Sequence, residues 1–200
     1  MRPVNVIQGA MVPLPRADVD TDQIIPKQFL TRIERTGYGA FLFWNWAYDD
    51  DGNPVEFFTH DPARRGAKVL VAGPNFGCGS SREHAVWAIQ DWGFEAVVAP
   101  SFGDIFRNNS YQSGLLPVEL PEETVNRLIE AAADPNTIVT IDLETQTVRC
   151  GDLEASFDID PSVKDRLLKG LDAIGLTLEH EDAIEAYEAR RPEWLPRSVA

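Results

Sequence analysis

The sequence predicts an α/β protein whose sheet contains both parallel and antiparallel strands, and three patterns support this prediction. Residues 68–100 contain an apolar run, a glycine-rich turn, an amphipathic segment and a second apolar run, which is the order of a right-handed βαβ unit. Residues 137–159 contain three short strand-like segments separated by turn residues, which predicts an antiparallel meander. Helical apolar spacing in the remaining segments completes a mixed architecture.

The first strand is expected at residues 4–8, followed by a proline-containing connection. Three acids then alternate at Asp18, Asp20 and Asp22, a spacing that superficially suggests a calcium loop. The glycine and the distal glutamate that a calcium loop needs are missing at the required offsets, so no metal site is predicted here. For Asp18 and Asp20, a loop that caps a helix is an equally good interpretation.

Residues 27–56 are rich in aromatic side chains. Five of them fall within residues 41–48, which is too many to leave in water, while nearby glycines and an acidic turn interrupt regular structure. We interpret the stretch as a mobile loop over a site, followed by a segment that packs on this domain or on a partner.

The central unit is expected to contain a strand at residues 68–72, the glycine-rich turn, a helix that stops at Gly93, and a strand at residues 95–99. The buried face of that helix consists of Ala85, Ala88, Ile89 and Trp92. Because the turn follows a strand of a βαβ unit, it lies at the carboxyl edge of the sheet, where α/β proteins bind their ligands.

The rest of the chain has no repeat and no low-complexity linker. The expected elements are a loop with a short helix at 101–109, a strand at 115–120, a helix at 121–132, strands at 137–143, 147–150 and 153–159, a helix from Asp160 to near Gly170, and a last helix at 181–191. We expect residues 1–160 to form one domain and residues 161–200 to form a helical tail that packs on it or extends from it.

Composition restricts the classes of function. The chain has 200 residues, a net charge of -14 and a pI near 4.5. This charge argues against nucleic acid or an anionic membrane as a partner, since both require a basic surface. No apolar stretch reaches membrane-spanning length and the amino terminus lacks signal-peptide features, so a cytoplasmic location is expected. Two cysteines, Cys78 and Cys150, fit a reducing compartment better than a disulfide framework.

The glycine-rich turn ends in the octet GCGSSREH, residues 77–84, which combines several features of an anion site. Ser80 or Ser81 is expected to cap the following helix, with Glu83 completing a capping box. The first N–H groups of a helix are unpaired and attract anions. A plain helix cap explains the serines and the glutamate equally well when each is taken alone.

Arg82 and the glycines favour the anion site over the plain cap. The Arg82 guanidinium is a planar fork that binds a carboxylate or phosphate in bidentate fashion. Gly77 and Gly79 let a ligand approach the backbone without a Cβ in the way. A solvated surface arginine is the alternative interpretation, and the combination of features argues against it.

Three other polar residues are candidates for a role in the chemistry. A helix terminus and a nearby arginine could lower the pKa of Cys78, but a small structural residue between two glycines is the interpretation we favour. Cys150, at a strand end, is interpreted in the same way. His84 lies one helical turn beyond Ser80, where it could relay a proton or, more commonly, hydrogen-bond into the fold.

Several separated motifs resemble one known family. They are DTDQIIP at residues 20–26, the octet at 77–84 with the following AVWAI, SFGDIFRNN at 101–109, and GLLPV at 114–118. In this order they resemble the swivelling domain of the aconitase superfamily and, more narrowly, the small-subunit family of bacterial 3-isopropylmalate dehydratases. The resemblance covers residues 17–120 and implies a layered β/β/α fold around the central βαβ unit.

The resemblance also implies a function and roles for individual residues. The family's hydro-lyases isomerise 2-isopropylmalate and 3-isopropylmalate by dehydration and rehydration in leucine biosynthesis. Ser80 matches the general base, which acts as an alkoxide, and Asp22 matches a second catalytic residue. The substrate-binding residues implied by the match are Gly79, Ser81 and Arg82. Ser81 donates a hydrogen bond to the substrate or to the Ser80 alkoxide, and Arg82 clamps a carboxylate.

The loop after the first motif selects the variable group of the substrate in the resembling enzymes. Leu30, Ile33 and Tyr38 are the candidates to meet an isopropyl group. In aconitase an arginine of this loop binds a carboxylate, and the sequence leaves open whether Arg32 or Arg35 points inward.

The same family uses an iron of a [4Fe-4S] cluster to polarise the departing hydroxyl, while cysteine thiolates hold the other irons. Two cysteines far apart in sequence cannot supply three cluster ligands. The cluster is therefore expected on a partner large subunit, and this chain alone should bind no metal and be inactive.

Two other classes of function are possible. A nucleotide-binding turn is disfavoured, because Arg82 stands where the third glycine should fall and no Gly-Lys-Ser/Thr ending follows. A non-catalytic, anion-binding interaction subunit agrees with the acidic surface and the aromatic stretch. Within the enzyme class, small subunits of homoaconitase or of methylmalate/citraconate-type hydro-lyases share the motifs and differ in the loop.

Overall fold

A computed structural model describes residues 1–31 and 36–192. In this part of the chain one sheet has seven strands: β1 Val6–Leu14, β2 Val69–Ala72, β3 Ala96–Ala99, β4 Leu116–Glu119, β5 Ile138–Asp142, β6 Thr147–Cys150 and β7 Leu153–Ser156. Their order across the sheet is β4-β3-β2-β1-β5-β6-β7. The helices are α1 Thr21–Ile24, α2 Trp44–Ala47, α3 Glu83–Trp92, α4 Asp104–Ser113, α5 Glu122–Ala131, α6 Pro161–Lys169, α7 Ala173–Leu178 and α8 Glu181–Ala189. Short 3-10 turns cover Lys27–Phe29, Tyr38–Phe41, Phe58–His60 and Pro62–Arg64.

Half of the sheet is parallel and contains the predicted βαβ unit. Strands β1 to β4 run parallel, with α3 as the crossover between β2 and β3. Every residue of β2 and of β3 is buried, as is typical of parallel strands that are covered on both faces. The α/β prediction, with its central βαβ unit and mixed sheet, is confirmed.

The other half is the predicted antiparallel meander of β5, β6 and β7. Strand β1 joins the halves, because its first residues pair with β5 up to Ala10 and its last residues, from Met11, pair with β2. This strand is longer than the prediction at residues 4–8, since it continues through Pro13. A proline is tolerated there because, among the described residues, β1 past Ala10 has a strand neighbour on one side only.

Two apolar cores cover the two faces of the sheet. One core joins Val12, Leu70 and Val97 to α1, α3 and α4. The other joins Met11, Val69 and the antiparallel strands to α5 and α6. Successive residues of a strand point to opposite faces of the sheet, so adjacent residues of β1 and of β2 lie in different cores.

The carboxyl-terminal part contains one helix that the pattern did not predict, α7. The Asp160 side chain caps α6 by accepting from the Ser162 and Val163 N–H groups, and Gly170 ends that helix in the left-handed conformation, as expected. Leu167 of α6 lies in the core, and its carbonyl accepts from the Val4 N–H at 2.9 Å. The division into residues 1–160 and 161–200 stays a prediction. Within the described ranges, no helix combines the length and apolar character needed to cross a membrane.

Candidate functional site

Two glycines with positive φ shape the turn that follows β2, and the first of them also has no room for a side chain. Gly77 has φ +73, and a Cβ built on it would lie 2.2 Å from Cγ of Phe106 in α4. Gly79 has φ +90, again in the region that glycine favours. These two residues let the turn pass close to α4 and then project residues 80 and 81 into solvent, where both are exposed.

Backbone hydrogen bonds join this turn to the first sequence motif. The Gly77 N–H donates to the Val19 carbonyl at 2.7 Å, and the Thr21 N–H donates to the Cys78 carbonyl at 3.0 Å. The Thr21 hydroxyl adds a third bond, to the Ser80 carbonyl at 2.9 Å. Two motifs about 60 residues apart therefore form one surface, and the loop of each motif supports the other.

The capping box predicted at the start of α3 is wrong. The helix begins at Glu83, Arg82 occupies the N-cap position, and no side chain caps the helix. Because Ser80 and Ser81 are not caps, their hydroxyls are exposed and have no hydrogen-bond partner among the described residues. A capping box does occur one motif earlier, where Asp20 accepts from the Gln23 N–H and the Gln23 side chain accepts from the Asp20 N–H.

Arg82 forms a bidentate ion pair with Asp22. Its Nη2 lies 2.8 Å from Oδ2 of Asp22, and its Nη1 donates to Oδ1. The Arg82 side chain is 16% exposed and that of Asp22 51% exposed. The arginine fork therefore lies against the protein with its carboxylate partner on the solvent side. The role predicted for Arg82 in binding an anionic ligand stays a prediction.

The two cysteines have no features of a nucleophile. Burial raises the pKa of the Cys78 thiol, and the nearby Asp20 and Asp18 carboxylates raise it further. Burial and then Asp152 raise the pKa of Cys150. Both thiols are thus held protonated at neutral pH, which supports the structural interpretation of the cysteines and not an activated thiolate.

His84 and Tyr38 pack together beside the site. The Tyr38 ring lies edge-on to His84 with centroids 5.2 Å apart, and His84 also contacts Trp87 at 4.7 Å. Tyr38 is 0% exposed, and its N–H donates to Oδ2 of Asp91 at 2.9 Å. The structure thus gives Tyr38 a packing role, because its ring lies in the core, and contact between that ring and a substrate stays a prediction.

The remaining loop residues are only partly described. Leu30 is half-buried and packs against the core of α1 and α3. Arg32, Ile33 and Arg35 lie outside the described residues. Their predicted roles in substrate selection therefore stay predictions.

The candidate site is an open surface. A cavity of about 500 Å³ is lined by Tyr48, His60 and Trp92, and one of about 700 Å³ by Arg107 and other residues near β4; the serines and Arg82 line neither. Within residues 1–31 and 36–192, no group of three or more His, Cys, Asp or Glu side chains is placed to hold a metal ion.

Sequence reasoning missed Thr21 as a member of the site. The structure brings together Asp22, Gly79, Ser80, Ser81 and Arg82 as the motifs suggested, and the buried Thr21 hydroxyl adds a side-chain bond to the two backbone bonds that join the loops. Its position between two acids of a matched motif was the available signal.

Models of known protein families match three segments of this chain. The family model of the aconitase C-terminal domain matches residues 1–123, and a family model described as LeuD_N matches residues 126–161. A third model, for the C-terminal domain of the small subunit of 3-isopropylmalate dehydratase, matches residues 174–197. The chain is 56% identical to the 3-isopropylmalate dehydratase small subunit of Rubrobacter xylanophilus, over 98% of this chain and 99% of the relative. It is 47% identical to that of Bacillus subtilis, over 98% and 99% respectively.

A solved structure has the same fold. The 3-isopropylmalate dehydratase LeuD of Methanocaldococcus jannaschii superposes with a TM-score of 0.66 at 27% identity, covering 92% of this chain and 99% of the other. Together with the matched motifs and the relatives of equal length, this likeness shows that the chain belongs to the family of 3-isopropylmalate dehydratase small subunits, with an aconitase C-terminal domain fold.

Proposed function

We propose that this chain is the small subunit of a 3-isopropylmalate dehydratase, a hydro-lyase that interconverts 2-isopropylmalate and 3-isopropylmalate in leucine biosynthesis. Relatives with that name match over their full length. The observation that carries the proposal is the convergence of two exposed serines and the Arg82–Asp22 pair on one surface at the start of α3. That surface offers a base and a carboxylate clamp, which are the groups that removal of water next to a carboxylate requires.

Ser80 is the proposed base. In the dehydration direction its alkoxide takes the proton α to a carboxylate, the C–H electrons form the carbon–carbon double bond, and the hydroxyl departs with its bonding pair. A serine hydroxyl does not ionise unaided at neutral pH, so its surroundings must favour the anion. The unpaired N–H groups of the first turn of α3 and the Arg82 guanidinium both do so.

Arg82 is the proposed carboxylate clamp. Its pairing with Asp22, in which Nη1 and Nη2 donate to the two carboxylate oxygens, supports this role, because a substrate carboxylate can be bound by the same two donors. Ser81, exposed beside Ser80, donates a hydrogen bond to substrate, and Gly79 leaves room for the substrate at the backbone. We assign Asp22 a catalytic role on the same surface from its match to the family motif.

The residues present do not fit a [4Fe-4S] cluster. Cys150 is buried in β6, the Cys78 thiol has a raised pKa, and no third cysteine exists. Hydroxide is a poor leaving group, which a Lewis-acidic metal would polarise. We place the cluster that supplies this chemistry on a large subunit, as in the family.

The exposure of the surface also favours a partner. Charges act strongly in catalysis only where water is excluded, and the Ser80 surface is open in the isolated chain. A large subunit that covers it, in a heterodimer or a larger cytoplasmic assembly, would complete the site. Small subunits of homoaconitase or citraconate-type enzymes would use the same surface with a different loop at residues 29–38.

The experiment is an anaerobic assay of 3-isopropylmalate dehydration by this chain, by the large subunit from the same source, and by both together. Activity only with both supports the proposal. A second outcome is that the two chains associate and hold the cluster but dehydrate homocitrate or methylmalate instead of 3-isopropylmalate. That result would assign this chain to a related hydro-lyase. Iron uptake by this chain alone, seen as charge-transfer absorbance after reconstitution, would contradict the placement of the cluster.

A further inference from the structure

Thr21 has an environment unlike that of the other polar residues of the site. Its side chain is only 2% exposed, whereas Ser80 and Ser81 are exposed. In the described part of the chain, Thr21 and Ser110 are the two residues classed as both polar and buried. A buried hydroxyl is stable only when it is hydrogen-bonded, and Thr21 meets this requirement by donating to the Ser80 carbonyl at 2.9 Å.

This bond determines which way the peptide between Ser80 and Ser81 faces. In a trans peptide the carbonyl and the following N–H point in opposite directions. The structure contains no cis peptide among the described residues. Because the Ser80 carbonyl points inward to the buried Thr21, the Ser81 N–H must point outward, to the exposed side where the two serine hydroxyls lie.

Without this bond, little in the turn holds that peptide in place. Gly79, immediately before it, has φ +90 and the wide conformational freedom of glycine. Neither serine side chain has a hydrogen-bond partner among the described residues that would orient it. The helix that would impose regular geometry begins only at Glu83. The Thr21 hydroxyl is therefore the side-chain contact that ties the peptide to the body of the domain.

We infer that Thr21 is a positioning residue for the reaction: it holds Ser80 in place as the base and turns the Ser81 N–H toward the substrate as an anion donor. This inference rests on the proposed function and adds a backbone donor to the two serine hydroxyls. The Thr21 side chain contacts no reacting atom, since it is buried behind the turn, and it acts through the Ser80–Ser81 peptide.

Thr21→Val in the assembled enzyme tests the inference, because valine keeps the shape and removes the hydroxyl. We expect kcat to fall by about 100-fold, as for a misplacement of a reacting group by about 1 Å. KM should change by less than about threefold, because the Arg82 clamp remains. Thr21→Ser, which keeps the hydroxyl, should recover most of kcat. An unchanged kcat in Thr21→Val, or a serine variant as slow as the valine variant, would overturn the inference.

Ser110→Ala is the matched control. Ser110 is the other buried hydroxyl, and it also donates to a backbone carbonyl, that of Phe106 at 2.8 Å within α4. The Ser110→Ala substitution should lower the melting temperature as much as Thr21→Val does and leave kcat unchanged. If both variants lose the same activity, the effect of Thr21 is one of general stability and the positioning role is refuted.

Amide NMR of the isolated chain separates this inference from the proposed function. If wild-type enzyme with its large subunit turns over no isopropylmalate, the proposed function fails while the peptide geometry can still be examined. The Ser81 amide resonance should shift strongly in Thr21→Val and little in Thr21→Ser or Ser110→Ala. A Ser81 resonance that stays in place in Thr21→Val would refute the orienting role of Thr21 whatever the substrate is.

Discussion

The Arg82 guanidinium and the Asp22 carboxylate lie face to face across 60 residues of sequence, with Nη2 and Oδ2 2.8 Å apart. The pair joins α1 to the residue that precedes α3, so it orients the arginine fork before any ligand arrives. Because the Asp22 side chain is 51% exposed, water screens the pair, and its contribution to the free energy of unfolding is at most about 1 kcal/mol. Its value therefore lies in positioning Arg82 and not in stability.

Asp22→Asn tests that conclusion. The amide keeps the size of the side chain but loses the charge and one acceptor oxygen, so the bidentate pair cannot form. We expect kcat/KM of the assembled enzyme to fall at least about tenfold, equal to about 1.4 kcal/mol of transition-state stabilisation. The melting temperature of the isolated chain should change little. A variant that unfolds at clearly lower temperature but keeps full kcat/KM would show that the pair is structural.

Arg82→Lys keeps the charge and removes the fork. Lysine presents one ammonium group, which cannot bind a carboxylate through two parallel bonds. We expect KM for isopropylmalate to rise by about tenfold or more, which corresponds to the loss of one charge-assisted hydrogen bond of about 1.5–3 kcal/mol. Steady-state kinetics of the assembled enzyme measure this KM. Arg149→Lys is the matched control, because Arg149 pairs with Glu154 at 3.1 Å on the meander; it should leave KM unchanged.

Ser80→Ala should abolish turnover while folding and association with the large subunit persist. The hydroxyl is exposed and makes no bond that the fold needs, so the melting temperature should stay within error of wild type. Ser81→Ala should retain measurable activity, because it removes a hydrogen-bond donor and leaves the base. The test is single-turnover kinetics together with co-purification of the subunits. Near wild-type turnover by Ser80→Ala would place the base elsewhere.

Cys78 should react slowly with iodoacetamide at neutral pH. Its pKa is raised first by burial and then by Asp20 and Asp18, and alkylation requires the thiolate. The rate should therefore rise with pH and reach its midpoint above the ordinary thiol value of about 8.5. Mass spectrometry of the labelled chain measures this rate, and Cys78→Ser provides the background from Cys150. A midpoint below neutral pH would mean that the thiolate is stabilised after all.

Arg64→Lys should destabilise the domain. The Arg64 guanidinium donates to the Met11 carbonyl at 3.1 Å and to the Ala132 and Ala133 carbonyls, at 2.7 and 3.1 Å, just past the end of α5. A lysine cannot reach all three carbonyls, so partly buried acceptors lose their donors. We expect the free energy of unfolding in urea to fall by about 1–3 kcal/mol. Arg65, the exposed neighbour, provides the control, and Arg65→Lys should change the free energy of unfolding by less than about 0.5 kcal/mol. Equal effects of the two substitutions would show that the three Arg64 hydrogen bonds do not stabilise the domain.

Patterns in short stretches predicted much of the fold. The helix that ends at Gly93, the three-strand meander and the Asp160 cap are all formed by residues close in sequence, and all three are confirmed. The start of α3 was placed wrongly, because two serines and a glutamate fit a capping box that the tertiary structure does not use. The bonds of the turn to residues 19–21 hold Ser80 and Ser81 outside the helix.

By itself, the sequence determined the family and the α/β class, because motifs and apolar periodicity are local properties that a single chain displays directly. It also predicted which residues perform the chemistry. Only the tertiary structure decided that Asp22 pairs with Arg82, that the Thr21 hydroxyl donates to the Ser80 carbonyl, and that Tyr38 is buried beside His84. These contacts join residues 46 to 60 positions apart. The folding of β1 beside β2 brings such residues together, and no local pattern encodes which of many polar groups will then meet.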